Sequence, residues 1–427
     1  MGPSAVIWSR RLQRAGVPVE STGTWVATFA VQGTVGRLKA AVQELRRRQS
    51  ILRTSFDIAR ECQREHGVGT GSQDPRILLH ESHDSEPCRA VISSLQHALD
   101  LERGRPFAAA IIPGSESHLL CLLLHHLTFD YYSLVLLTDQ LETLTQHATR
   151  PQGKVRASPS YGAWTAHLHR AVQGGTFDQD AVFWREQLAG TRSPYPSSTA
   201  AATVRDQTFF DLQLDEPTTM AITRGAVGRV TRGTPAQVVA ACISSLSDWS
   251  GTSEHVVRLV GHGRNMVVGM QPRRTVGWCS GSYPLGFRAT KASTQFEKTE
   301  SAARTILGAP SGGVSYGALA AYSNAFADFA PEPRVSVRIN HLGVIKSQVD
   351  DPSVPFRVLP TNASTAVASE TRSDMPIYSL LDVYSKVMDG RLTLQIGVDV
   401  SAVGPTNAAW IVDDIAMQLR RLAHEVS

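Results

Sequence analysis

A pair of histidines followed by an aspartate forms the group of residues best suited to chemistry. His125 and His126 come directly after the apolar run Leu119–Leu124, and Asp130 follows four residues after the second histidine. A neutral imidazole, with an ordinary pKa of about 6.5, takes a proton from an attacking amine or hydroxyl near neutral pH and later returns one. The pattern therefore predicts acid–base chemistry that requires no nucleophilic serine or cysteine.

The two histidines are predicted to differ in role. Side chains alternate across an extended chain, so one of His125 and His126 faces a cleft while the other packs. Asp130 stands where a strand gives way to a helix, and two roles remain open for it. It caps the helix N-terminus, or it holds an arginine and so fixes the loop that carries His126. On residue types alone, a packed histidine and a plain helix cap also explain the pattern.

Alternating helices and strands must position these residues. The apolar run before His125 is typical of a buried strand, and the leucine spacing after it predicts a helix that begins near Tyr131. The same criteria predict further helices at 35–48 and 235–249 and within the C-terminal segment, and strands at 255–260 and 392–398. The mixture favours an α/β or α+β fold. We predict an N-terminal lobe over 1–170 and a C-terminal lobe over 171–427.

Composition excludes several classes of protein. Of 427 residues, 42% are hydrophobic and 19% are charged, which excludes disorder and a fibrous architecture. The net charge is only +4, and basic residues cluster no further than short groups such as 46–48, so nucleic acid is not a predicted partner. The five cysteines include no CxxC pair and fit a reducing cytoplasm. Because no run reaches about eighteen apolar residues, no membrane contact is predicted.

Three short motifs resemble known catalytic or cofactor-binding signatures, but each lacks a residue, a spacing or a preceding strand that the signature requires. Gly313–Gly317 spells G-x-S-x-G, yet glycine and proline precede it instead of an apolar strand. The segment after Gly261 lacks the third glycine of a dinucleotide fingerprint, and His80 and His83 are one residue too close for a metalloprotease helix. Neither a serine nucleophile nor a bound metal or redox cofactor is therefore predicted.

In the order of its motifs, the chain resembles the condensation domains of nonribosomal peptide synthetases, within the wider chloramphenicol-acetyltransferase-like acyltransferases. The His-His-x-x-x-Asp arrangement at 125–130 is similar to the active-site motif of that family. Other segments similar to family motifs follow in order along almost the whole chain, at Arg48–Phe56, Leu99–Phe107, Tyr161–Trp164, Phe183–Leu188, Gly261–Arg264, Thr275–Pro284, Val314–Gly317 and Ile339–Gly343.

The resemblance implies a fold and a site. The fold would be two chloramphenicol-acetyltransferase-like lobes that form a V-shaped pseudo-dimer with a tunnel at their interface. His126 would be the catalytic residue, at the point where a carrier-bound acyl thioester meets its acceptor. His125 and Asp130 would support it. No cofactor would be bound. The substrate would arrive on the phosphopantetheine arm of a carrier protein.

Two departures from the family pattern concern the site. Tyr131 replaces the glycine that usually follows the motif's aspartate, so a bulky side chain is expected to line the tunnel. It would narrow the channel for a small substrate or reduce catalytic competence. The arginine that commonly pairs with the aspartate would fall at Gly286. Arg288, two residues along on the same side of a strand, is the expected substitute.

The resemblance predicts a monomeric, cytoplasmic enzyme of secondary metabolism such as antibiotic biosynthesis, expected to be a stand-alone enzyme, with a domain excised from a larger protein as the alternative. It would form an amide or ester bond between the thioester of an acyl or peptidyl carrier protein and a small amine or alcohol acceptor. Two alternatives stay open. A non-catalytic member would recruit a carrier protein or a partner enzyme. Tyr131 supports this, and the intact His126 with Asp130 argues against it. An epimerization domain would abstract the α-proton of a carrier-bound aminoacyl group.

Overall fold

The chain folds into two compact units. A computed structural model describes residues 1–19, 23–69, 77–80, 89–146, 158–189, 202–289, 293–329, 335–345, 354–359 and 376–427. In its described parts, the first unit contains Met1–Ala171, Arg264–Ser280 and Gln348–Arg372, and the second contains Val172–Gly263, Gly281–Ser347 and Ser373–Ser427. A division of the sequence at residue 170 does not anticipate the two later segments of the first unit.

Helices and strands are interspersed along the described chain, with several runs of consecutive helices or consecutive strands. The helices are α1 (Pro3–Arg14), α2 (Val35–Arg48), α3 (Arg89–Ala98), α4 (Tyr131–Gln146), α5 (Tyr161–Gln173), α6 (Asp178–Ala189), α7 (Glu216–Thr223), α8 (Gly225–Thr231), α9 (Ala236–Ser250), α10 (Gln295–Leu307), α11 (Val314–Tyr322), α12 (Val400–Val403) and α13 (Pro405–Val426). The strands are β1 (Thr24–Val31), β2 (Thr54–Asp57), β3 (Cys62–Glu65), β4 (Ile77–Leu79), β5 (Phe107–Ile112), β6 (His118–His125), β7 (Gln207–Gln213), β8 (Glu254–Gly261), β9 (Gly281–Arg288), β10 (Val335–Ile345), β11 (Phe356–Val358), β12 (Ser379–Met388) and β13 (Arg391–Asp399).

The first unit is built on a mixed sheet with β6 at its centre. The strand order is β11-β1-β6-β5-β4, and β6 is antiparallel to both neighbours. Every residue of Leu119–Leu124 is buried, which explains why that run is apolar without alternation. Strand β11 comes from the later part of the chain and pairs with β1. That pairing is one reason why the first unit does not end near residue 170.

The second unit has a larger mixed sheet, with the strand order β7-β13-β12-β10-β8-β9. The central strand β10 is parallel to both β12 and β8, whereas the outer pairs are antiparallel. Helix α9 is buried continuously over Ala236–Ser247, as expected of a helix that is apolar or small on all sides.

The predicted mixed α/β class is confirmed, as are the elements that bracket the histidine pair. The buried strand ends at His125, and α4 begins at Tyr131. The helix predicted over 35–48 has those bounds, and the strand predicted over 255–260 lies within β8. Cys88, one of the five cysteines, lies outside the described residues. The V-shaped arrangement and its tunnel stay predictions. No described helix is both long and apolar enough to cross a membrane.

Candidate active site

The two histidines lie at the end of β6, where the chain leaves the sheet. His125 is the last residue of the strand and pairs with Thr24 of β1. His126 opens a single 3-10 turn that runs to Thr128, and its backbone N–H donates to the carbonyl of Gly23 at 2.8 Å. The backbone on both sides of His126 is therefore fixed by hydrogen bonds.

His125 is a packed residue. Its side chain is fully buried, and its Nε2 donates to the carbonyl oxygen of Val19 at 3.0 Å. Its Nδ1 accepts from the backbone N–H of Leu127 at 3.3 Å. Both ring nitrogens are satisfied in the neutral form, and burial lowers the pKa of His125 to about 4. This histidine stays neutral and orients the start of the turn.

The ring of His126 is held in one tautomer by the backbone. Its Nδ1 lies 3.1 Å from the carbonyl oxygen of Phe129. A carbonyl oxygen only accepts hydrogen bonds, so Nδ1 carries the proton of the neutral ring and the lone pair is on Nε2. The side chain is half-buried, unlike that of its neighbour. Nε2 of His126 is therefore the basic atom of the pair.

Three aromatic residues surround this imidazole. The Trp278 ring stacks on it, with centroids 3.9 Å apart and planes inclined by 18°. The Phe129 ring lies 5.2 Å from it, and the Trp8 ring from α1 lies 6.1 Å from it. Trp8 also meets Trp278 edge to face at 5.5 Å. Stacking restricts rotation of the imidazole, and an indole face attracts the imidazolium that proton transfer would form.

Asp130 both caps α4 and binds an arginine, so the two roles left open by the sequence are combined. Its Oδ1 accepts from the backbone N–H of Ser133 at 2.8 Å. The guanidinium of Arg264 binds both carboxylate oxygens, each at 2.8 Å. The two side chains are each only 3% exposed. Such a bidentate pair holds its partners in one relative orientation.

The same carboxylate also fastens the chain that carries Trp278. Its Oδ2 accepts from the backbone N–H groups of Cys279 at 3.0 Å and Ser280 at 2.8 Å. Together with the Ser133 hydroxyl, six donor atoms lie within 3.0 Å of its two oxygens. The hydrogen-bonding capacity of the carboxylate is used up. Asp130 is therefore a positioning residue and does not act as a base toward a substrate.

Arg264 joins the carboxylate to the backbone of the same segment. Its guanidinium also donates to the carbonyl oxygens of Thr275 and Gly277, and it stacks over the ring of Tyr132 at 4.7 Å. Burial lowers the pKa of Arg264, but the charge of Asp130 beside it outweighs that and raises the pKa above its ordinary value. The Arg264 guanidinium therefore stays protonated, and both side chains of the buried pair are hydrogen-bonded.

The segment Thr275–Ser280 is clamped at Gly277. The Ser133 hydroxyl lies 3.0 Å from the amide nitrogen of Gly277 and 2.8 Å from its carbonyl oxygen. On the other side, a Cβ added to Gly277 would lie 2.3 Å from the buried ring of Tyr161. The Tyr161 hydroxyl donates to the carbonyl of Trp278 at 3.1 Å. Only glycine fits at this position. The contacts with Ser133 and Tyr161 hold the segment so that Trp278 stacks on His126.

The thiol nearest to this network is not a nucleophile. Burial raises the pKa of Cys279 to about 12, and the reactive form of cysteine is the thiolate. The arrangement therefore supplies one basic nitrogen, Nε2 of His126, on a rigid and largely apolar support. It supports proton transfer to and from a substrate rather than covalent catalysis.

The expectation that Arg288 pairs with Asp130 is wrong. Arg288 ends β9 in the second unit and forms an exposed ion pair with Glu254 of the neighbouring strand. Gly286, where the family's arginine was expected, donates its backbone N–H to Gln187. The correct partner, Arg264, comes from the segment of the first unit that directly follows β8. Counting along one strand could not find it, because the partner lies in a loop.

Tyr131 lies in the first turn of α4, and 36% of its surface is exposed. Burial of the rest raises the pKa of its phenol, so the hydroxyl stays protonated at neutral pH. Its role in lining a tunnel stays a prediction. Sequence reasoning missed Trp8, Arg264 and Trp278 as members of the site, although the segments containing the last two were noted for their resemblance to family motifs.

The serine of the G-x-S-x-G match is structural. Ser315 lies in the first turn of α11 with no exposed surface, and its Oγ accepts from Nε1 of Trp184 at 3.0 Å. A 3-10 turn precedes it, where a nucleophile elbow needs a strand. In the described part of the chain, no cluster of three or more histidine, cysteine or acidic side chains is arranged to hold a metal ion.

Comparison with known proteins identifies a family model and several curated proteins that match this chain. A model of the condensation domain matches residues 24–343 of the chain. Tyrocidine synthase 2 of Brevibacillus parabrevis is 23% identical over 349 residues, which are 77% of this chain and 9% of that protein. Bacitracin synthase 3 of Bacillus licheniformis is 23% identical over 271 residues, 62% of this chain and 4% of that protein. The chain spans less than a tenth of the length of these two curated relatives.

Solved structures share the fold over almost the full chain. The epimerization domain from the third module of tyrocidine synthetase B superposes with a TM-score of 0.79 at 18% identity, over 98% of this chain and 95% of that one. The condensation domain from Monacolin K polyketide synthase gives a TM-score of 0.72 at 16% identity, over 98% and 96% of the two chains. At such identities the likeness concerns the fold alone.

Proposed function

The chain belongs to the condensation-domain family, and on that premise we propose that it joins a carrier-bound acyl or aminoacyl thioester to a small amine acceptor. Condensation domains generally catalyse amide-bond formation. An alcohol acceptor, which would give an ester, is the second choice within the same chemistry. The donor would be presented on the phosphopantetheine arm of an acyl or peptidyl carrier protein.

The observation that carries the proposal is the fixed tautomer of His126. Because Nδ1–H donates to the carbonyl of Phe129, the lone pair of the neutral ring is on Nε2. As the amine nitrogen attacks the thioester carbon, Nε2 takes the proton that the nitrogen loses. The tetrahedral intermediate then expels the sulfur, the C–S bond breaks, and the imidazolium returns the proton to the leaving thiolate. One basic atom serves both transfers.

The support around His126 fits this reaction. Trp278 and Phe129 hold the ring against rotation, and Asp130 with Arg264 holds the segment that carries Trp278. Aminolysis of a thioester gains much of its acceleration from holding two reactants in line, so a rigid proton acceptor suits it. Epimerization needs a second group to return a proton to the opposite face of the α-carbon. Asp130 cannot serve, because its oxygens are saturated.

A reaction run under four conditions tests the proposal. We would incubate the chain with a carrier domain loaded with an aminoacyl thioester, with and without a panel of small amines and alcohols, in H2O and in D2O. The products and the α-carbon deuterium content would be read by mass spectrometry. We expect an amide product that forms at least about 100-fold more slowly with His126→Ala. The matched control is His97→Ala, an exposed histidine on α3 in the same unit, which should retain the wild-type rate.

The remaining outcomes separate the alternatives. Equal amide yield from wild type and His126→Ala would reject the role of His126. Deuterium at the α-carbon without any acceptor would support epimerization instead. Binding of the carrier with no product from any acceptor would support a recruiting role.

A further inference from the structure

A strained two-residue turn lies close after Arg264. The backbones of Val267 and Met270 exchange two hydrogen bonds, at 3.0 and 2.9 Å, so Val268 and Gly269 occupy the centre of a hairpin turn. Both have positive φ, 44° for Val268 and 78° for Gly269. Asparagine or glycine normally fills the first of these positions, because a β-branched side chain is strained there. Strain of this kind is concentrated at functional sites.

The base of the turn is fixed while its tip faces solvent. Val267 is buried, and its carbonyl oxygen accepts a hydrogen bond from Nε2 of His167 on α5 at 2.9 Å. Met266 and Val268 are each 64% exposed. The turn therefore holds two apolar side chains in water from a rigid support, at a cost in both backbone strain and hydration.

The same segment also carries positive charge and leads to the active site. Arg273 and Arg274 are both exposed. The next residues along the chain, Thr275–Ser280, are the clamped segment that brings Trp278 to His126. A partner that binds 266–274 thus occupies the chain that directly precedes the catalytic support. Exposed apolar groups and arginines in one segment complement an acidic surface that has apolar residues of its own.

We propose that Met266–Arg274 is the docking surface for the carrier domain that delivers the acyl thioester. This rests on the proposed function, which requires such a partner. The partner that complements this segment bears the phosphopantetheine arm and presents an acidic surface with apolar side chains of its own. Val268 is kept in a strained position because its side chain contacts that partner.

Binding can be tested with a phosphopantetheinylated peptidyl carrier domain of net negative charge as the probe. Calorimetry would compare the wild type with Val268→Asn, Arg273→Glu and the control Val68→Asn. Val68 is 57% exposed and also precedes a glycine with positive φ, but lies outside this segment. We expect Val268→Asn and Arg273→Glu to raise the Kd at least tenfold, and Val68→Asn to leave it unchanged. Asparagine suits the turn, so the Tm of Val268→Asn should equal or exceed that of the wild type.

The proposal is overturned if the wild type does not bind the carrier, or if both variants bind it as the wild type does. It is also overturned if Val268→Asn abolishes a wild-type dimer in sedimentation or binding to anionic vesicles while carrier binding persists. Failure of the proposed function gives a different result. In that case the wild type makes no amide from either the carrier-bound or an N-acetylcysteamine thioester, yet carrier binding and its loss in Val268→Asn remain.

Discussion

The carboxylate of Asp130 fixes two distant segments at once. One oxygen caps α4, the other holds the amides of Cys279 and Ser280, and Arg264 bridges both. A buried charge is tolerated because every donor and acceptor in the group is paired. Asp130 is therefore a positioning residue, since the segment it holds determines where Trp278 lies.

Asp130→Asn should unfold the first unit far more readily than its small change in size suggests. The amide removes the charge that compensates buried Arg264 and places an N–H2 group among donors. Breaking a buried pair in this way costs about 3–5 kcal/mol of unfolding free energy. Urea denaturation followed by tryptophan fluorescence measures the loss. The control Asp57→Asn removes an exposed partner of Arg60 and should have a much smaller effect; equal losses would contradict the assigned role.

Trp278 is expected to orient the imidazole rather than to bind substrate strongly. In Trp278→Ala the ring of His126 loses its stacking partner, and a displacement of about 1 Å at a catalytic group can cost on the order of 100-fold in rate. We expect kcat to fall about 10–100-fold with a smaller change in KM, and Trp278→Phe to restore most of it. The exposed Trp410 offers the control Trp410→Ala.

Nitrogen-15 NMR of labelled histidine reports the tautomer of His126, which a simple loss of stability would not change. The wild type should show Nδ1 protonated and Nε2 unprotonated for His126, whereas Trp278→Ala should show a mixture of tautomers. A wild-type kcat and an unchanged tautomer in Trp278→Ala would refute the positioning role.

The position of the segment Thr275–Ser280 depends on a single glycine. A Cβ at position 277 would overlap the ring of Tyr161, which is buried and cannot move aside. Gly277→Ala should therefore lower the unfolding free energy by about 1–3 kcal/mol and reduce amide formation as well. Gly36→Ala is the matched control, because that glycine lies in α2 and a Cβ there would come no closer than 4.0 Å to Thr34. If thermal unfolding finds the two variants alike, the clamp is misassigned.

The end of β6 makes folding sensitive to acid through His125. Burial lowers its pKa to about 4, so the unfolded chain binds a proton at a higher pH than the native one does. The stabilisation is complete above about pH 6.5 and is lost as the pH falls toward 4, by about 3 kcal/mol in all. His125→Gln keeps a donor for Val19 but cannot titrate, so its stability should vary less over this range.

Unfolding free energies measured between pH 4 and pH 7.5 test this slope. His341 in the second unit, whose pKa burial also lowers to about 4, should account for part of the slope that remains in His125→Gln. His97→Gln changes an exposed histidine and should keep the wild-type slope. A wild-type slope in His125→Gln would show that His125 is not the titrating group.

Local pattern predicted the elements better than the contacts between them. The apolar run up to Leu124 and the leucine spacing after Tyr131 bracket His125 and His126 correctly, because strand burial and helix periodicity are local properties. Arg264 lies 134 residues from Asp130 along the chain. No rule of spacing joins a helix cap to a loop at that distance. The family pattern points to Gly286, and so it predicts Arg288 instead. Trp8 was missed for the same reason.

The whole chain assembles the site from parts that are distant in sequence. The first unit takes Arg264–Ser280 and β11 from the later part of the chain, and the site is complete only when Arg264–Ser280 is in place. Non-local pairing of this kind slows folding, since loops must close before their contacts form. The segment Arg264–Ser280 contains both the turn at 266–270 and Trp278, which stacks on His126.

Single-turnover acyl transfer by His126→Asn tests directly whether Nε2 of His126 is the base. The asparagine amide keeps a donor near Nδ1 for the carbonyl of Phe129 but has nothing at the position of Nε2. We expect a loss of at least about 100-fold in the rate of amide formation from a loaded carrier domain, with Tm close to that of the wild type. A wild-type rate from this correctly folded variant would contradict the claim that Nε2 of His126 is the base.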